Sequence, residues 1–100
     1  MEATTSAGVA PLLDIGGDIG ALVVELAVVP PSGELEACPA GRPGARFHTG
    51  VHQRHVGGRV VAVAVYPAVP EGDYEILDER LVPVARSHVT GGSVTQLRLD

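Results

Sequence analysis

Four histidines and seven arginines are the side chains of this 100-residue chain best suited to holding a ligand. The imidazoles of His48, His52, His55 and His88 are of the type that binds Zn²⁺ or Cu²⁺. A guanidinium is a planar fork that pairs with carboxylate or phosphate through two parallel hydrogen bonds. In an extended chain Arg46, His48, His52 and Arg54 share one parity, with Gly50 between them, so they form a row on one strand face. That row is the candidate ligand-binding surface, for a small anion or a metal ion. Its histidines would make binding sensitive to pH near neutrality. Glu25, Glu34 and Glu36 offer an alternative: paired with the row across strands, they would leave an ordinary charged face.

Spacing limits any metal site. Residues four apart in a strand lie about 13 Å apart, so His48 and His52 cannot share an ion by backbone position alone. His52 and His55 point to opposite faces. A site needs His88, or a carboxylate from a neighbouring strand. His48, His52 and His88 are therefore the metal candidates, and the sequence itself assigns no resident metal and no cofactor.

The parts for catalysis are thin, and a non-enzymatic protein is expected. Ser87 and His88 are adjacent and fall on opposite faces of a strand. Ser93 sits in a turn with no residue that points to a histidine partner. Cys38, between Ala37 and Pro39, has nothing nearby in sequence to lower its pKa. A lone cysteine also excludes an internal disulfide and a cysteine metal cluster. Asp14-Ile15-Gly16-Gly17-Asp18 is like a phosphate loop in composition, but that use requires two large α/β lobes, and a β-turn is the expectation here.

The elements that carry these residues read as strands. Apolar residues make up 45% of the chain and charged residues 19%, which suits a packed core rather than a disordered segment. One Phe, two Tyr and no Trp leave that core aliphatic. Valine's branched Cβ suits a pleated surface, and 13 Gly with 8 Pro supply turns at intervals of about ten residues. The apolar runs are Leu12–Ile15, Ala21–Val29, Gly33–Ala37, Ala45–Val56, Arg59–Pro67, Asp73–Leu77, Leu81–His88 and Ser93–Leu99. Gly16-Gly17-Asp18, Pro30-Pro31, Gly57-Gly58, Pro70–Gly72 and Gly91-Gly92 punctuate them, and Cys38–Gly44 reads as a loop. No segment has a helical period. The expectation is a flexible tail over residues 1–10 and one domain over 11–100, an antiparallel two-sheet β-sandwich of about seven strands.

Two segments carry a family resemblance. Val69-Pro70-Glu71-Gly72-Asp73-Tyr74 and Val89-Thr90-Gly91-Gly92-Ser93-Val94-Thr95-Gln96-Leu97 resemble the end of a prealbumin-like sandwich, as in carboxypeptidase regulatory-like and collagen-adhesin B-type repeats. The resemblance implies that Gly72 makes a tight turn and that Tyr74 lays its ring over the sandwich end. It departs at lysine: with none in the chain, the isopeptide crosslink of some adhesin modules cannot form. The segment Asp14–Val24 is similar to the start of small stand-alone proteins of GC-rich bacteria, a likeness that implies no activity.

A net charge of −5 argues against a nucleic-acid partner. The longest apolar stretch, Ala21–Pro31, is broken by Glu25 and too short to span a bilayer. With no basic leader before an apolar run, a cytoplasmic location is the default expectation. The function expected is an interaction module that binds a protein partner or self-associates into a homo-oligomer. Unpaired strand edges provide the route.

Overall fold

The computed structural model describes residues 13–99. The tail expected over residues 1–10 lies outside the described residues, as does Leu12. The described chain is all-β. Its strands are β1 (Ile19–Leu26), β2 (Glu34–Pro39), β3 (Phe47–Val56), β4 (Arg59–Pro70), β5 (Gly72–Leu77), β6 (Pro83–Val89) and β7 (Val94–Arg98), with one 3₁₀ turn over Pro43–Ala45. Among the described residues no helix is long and apolar enough to cross a membrane.

Hydrogen bonding links the strands in the order β6-β5-β2-β3-β4-β1-β7, a sheet that curls nearly closed into a barrel. Consecutive strands β3 and β4 form a hairpin on Gly57-Gly58, whose φ angles of 54° and 80° require residues without a Cβ penalty. The sheet is mixed, which corrects the all-antiparallel expectation. β7 runs parallel to β1, with Ala21 opposite Val94 and Val24 opposite Leu97. Strand alternation encodes which face is buried and says nothing of the direction of the neighbour.

β3 changes partner midway. Phe47 to Gly50 pair with β2, and Val51 to Val56 pair with β4. The amide of Val51 donates to the carbonyl of Gly33 at 2.8 Å, just where the switch occurs. The inward parity of β3 is the one its alternation predicts: Val51 is buried while His48 and His52 are exposed.

The core gathers Leu22 and Val24 of β1, Ala62, Ala64 and Tyr66 of β4, Ile76 of β5 and Val89 of β6. Ala21 and Leu22 are consecutive, yet both are fully buried. A register shift between Gly20 and Leu22 explains this, because a bulge turns neighbouring side chains to the same side. Phe47 stands edge-on to Tyr66 at 5.3 Å and to Tyr74 at 5.9 Å, so the three aromatic rings form one cluster.

Several boundaries differ from the sequence expectation. Leu13–Ile15 is irregular, held by Asp14 N–H to the Pro67 carbonyl at 3.2 Å. Ala27–Val29 leave the sheet, with Val28 exposed. Cys38 and Pro39 are the end of β2 rather than loop, and Cys38 is fully buried. Leu81 and Val82 belong to the turn before β6.

Candidate functional site

The β2–β3 ladder sets the surroundings of the basic row. Directly opposed residues share a face, so Glu36 stands beside His48, and Glu34 beside Gly50. Arg46, just ahead of β3, places its Nε 3.8 Å from Glu36 Oε1, and His48 Nε2 lies 3.6 Å from Glu34 Oε2. His52 and Arg54 lie beyond the partner switch, opposite Val63 and Val61 of β4. The face is therefore one of mixed charge. Of the three carboxylates named as candidate partners, Glu25 goes elsewhere, to Arg98 Nη2 at 3.1 Å, because β1 neighbours β4 and β7.

His88 is remote from this group. It lies on β6, three ladder steps from β3 or about 14 Å, and its Nδ1 is 3.0 Å from Asp73 Oδ1 across the β5–β6 pair. His55 lies near the far end of β3, opposite Val60. The Cys38 thiol is pushed up from its ordinary value by burial first and then by the negative charge of Glu75, so it is held as the unreactive thiol. Tyr66 is pushed well above the usual phenol range by burial, with Glu36 adding to the effect.

A second site was not visible in the sequence. β6 and β7 are the two ends of the strand order, and among the described residues no ladder joins them. They meet only near their shared turn, where Thr95 Oγ1 donates to the His88 carbonyl at 3.3 Å. That end is tied further: Glu71 N–H donates to the Asp18 carbonyl at 2.7 Å, and Gly91 N–H to Glu71 Oε1 at 2.8 Å. At the opposite end the walls part around a cavity of about 550 Å³. Its apolar lining includes Leu26, Leu35, Leu77, Leu81, Val84 and Leu99. Its charged lining is entirely acidic: Glu34, Glu36, Asp78 and Glu79.

Leu81 is presented to this opening by a tight turn. Asp78 Oδ1 accepts from the amides of Arg80 at 2.8 Å and Val82 at 3.0 Å, and Leu81 N–H donates to the Asp78 carbonyl at 2.9 Å. Closing that turn puts Leu81 at φ 63°, the one non-glycine residue with positive φ among those described. In the sequence Glu34 and Glu36 were read only as partners of the basic row, and no spacing pointed to this opening. The opening's walls come from five segments that only the fold brings together.

Fold and sites together define an all-β, nearly closed barrel with an apolar mouth and a mixed-charge strand face. No protein-family model, curated protein or solved structure matches the chain.

Proposed function

We propose that the domain is a non-enzymatic interaction module that takes an extended segment of a protein partner into the opening between β6 and β7. One observation carries this reading: the apolar opening is lined by Val84 of β6 and by Leu99, the residue that follows β7, so it lies beside the two strands that end the sheet order. Such edges present backbone donors and acceptors at strand spacing, and an added strand satisfies them. The volume of about 550 Å³ falls within the usual range for ligand-binding clefts. An acidic lining favours a partner segment that alternates apolar and basic residues, since alternate side chains of a strand enter opposite environments.

The prealbumin-like, two-sheet reading belongs with this proposal. It takes β7-β1-β4 and β2-β5-β6 as two facing sheets, with β3 as the strand shared between them. The partner switch of β3 at Gly50 and Val51 supports it. So does the corner at Tyr74, whose hydroxyl donates to the Pro70 carbonyl at 2.6 Å and locks the turn opened by Gly72. In a sandwich of this kind the opening lies at the end where the two sheets part.

The test is an amide NMR titration with two synthetic peptides, one alternating Leu and Arg, the other alternating Leu and Glu. Saturable shifts along β6 and β7 with the Leu/Arg peptide alone are expected, and Val84→Arg should abolish them. Shifts confined to other strands, or equal binding of both peptides, would overturn the reading. Sedimentation of the unliganded protein reads the competing occupant. A dimer that Val84→Arg dissociates would mean that a second copy fills the opening.

A further inference from the structure

We propose that Glu34, Glu36, His48 and His52 form a binding site for a divalent transition ion of the zinc type on the outer face of β2 and β3. The ligand atoms of Glu34, Glu36 and His48 all lie within 4.8 Å of one another. Metal–ligand bonds of about 2.1 Å in a tetrahedral site put neighbouring ligand atoms about 3.4 Å apart. The 3.6 Å between His48 Nε2 and Glu34 Oε2 already meets that spacing. The remaining approach falls to the side chain of Glu36, which is free to change rotamer at a partly exposed position.

His52 supplies the fourth ligand by a route that backbone spacing hides. A Cβ built on Gly50 would stand 3.2 Å from His52 Nε2. The ring therefore leans back along the strand over Gly50, toward His48 and beside Glu34, the residue directly opposite Gly50. Glycine at this position leaves the room that the imidazole fills. Two imidazoles and two carboxylates form a donor set that suits Zn²⁺ and its neighbours, whereas Ca²⁺ and Mg²⁺ prefer oxygen alone. Arg46 works against the ion from beside Glu36 at 3.8 Å, and its guanidinium must swing into solvent when the site fills.

Glu34 and Glu36 also belong to the acidic lining of the opening, so the site is tested with a separate probe, the ion alone, and with His48 and His52, which the opening does not use. Zn²⁺ is titrated into the full chain, with the histidine ring resonances and the binding heat followed together. One-to-one saturation is expected, with shifts at His48 and His52 and none at His88. Glu34→Gln and His48→Asn should each weaken Zn²⁺ at least tenfold, by analogy with the roughly 10–100-fold cost of losing supporting residues around metal sites. Gly50→Ala should weaken it severalfold by displacing the ring. His88→Asn should change nothing. Glu34 and His48 are exposed, and an unchanged amide pattern at β5 and β6 in all three weakened variants separates ligand loss from misfolding. Full affinity in His48→Asn, equal binding of Ca²⁺, or shifts led by His55 or His88 would overturn the assignment.

Discussion

The Tyr66 hydroxyl donates to the Leu35 carbonyl at 2.5 Å, joining β4 to β2 through the middle of the core. The two strands lie on either side of β3 in the strand order, so this single bond spans the inner face past β3. Tyr66 is 3% exposed, and Leu35 would have no water to replace it. Tyr66→Phe keeps the edge-on contact with Phe47 and removes only the donor. A loss of about 1–3 kcal/mol is expected, the cost of an unsatisfied buried acceptor. Urea unfolding checks it: the midpoint should fall with the slope unchanged.

The tied end of the barrel depends on two close approaches of backbone. A Cβ on Gly20 would meet the Thr90 carbonyl oxygen at 2.4 Å, and one on Gly91 would meet the Gly17 carbonyl oxygen at 2.3 Å. Backbone atoms cannot step aside as a flexible side chain does. Gly20→Ala and Gly91→Ala should each destabilise by about 1–3 kcal/mol through overpacking. Gly44→Ala, where nothing lies within 4 Å, is the matched control and should leave the melting temperature within about 1–2 °C.

At the opposite end, the backbone of Leu81 holds strain. Its φ of 63° suits asparagine better than leucine. Leu81→Asn should raise stability by about 1 kcal/mol. It should also weaken the Leu/Arg peptide, because the apolar side chain is lost from the opening. Stability and binding moving in opposite directions is the signature sought. A variant that loses both would show the turn to be unstrained.

Alkali should destabilise the fold in a defined order. Cys38, Tyr66 and Tyr74 are all raised by burial in the folded state, from ordinary values of 9.0, 10.0 and 10.0. An acid whose folded pKa is raised keeps its full stabilising contribution below its unfolded pKa. That contribution is lost as pH climbs toward the folded value, because only the unfolded chain ionises there. Stability should hold up to pH 9.0 and fall beyond it. Cys38→Ala should move the onset toward 10.0, where the tyrosines of the unfolded chain begin to ionise. Urea midpoints at a series of pH values decide it, and a midpoint flat through 10.0 would sink the prediction.

Local rules were readable in the chain, and long-range ones were not. The alternation through Phe47, Thr49 and Val51 marked the buried face of β3, and Gly57-Gly58 marked its hairpin. Both signals lie within a few residues of what they specify. The parallel union of β1 with β7 spans most of the chain and leaves no local trace. Cys38 and Pro39 were read as loop from composition, yet the fully buried thiol lies within β2, and Pro39 is the residue at which that strand ends. On the candidate face, the row of Arg46, His48, His52 and Arg54 was legible from parity. Its carboxylate company followed from the neighbour of β3, which only the fold decides. The spacing argument against His48 and His52 acting together assumed upright side chains, and the open space at Gly50 relaxes it.

The parallel pairing of β1 with β7 has a consequence for how the chain is made. Arg98 reaches back to Glu25 across 73 residues, so a ribosome must synthesise nearly the whole domain before β1 receives its second neighbour. Until then one edge of its most apolar strand stays uncovered, with Ala21, Leu22 and Val24 in it. Late closure of this kind makes folding slow and leaves the nascent chain exposed to aggregation. The interval before β7 is made is therefore when the open edge of β1 is most exposed to pairing with another chain.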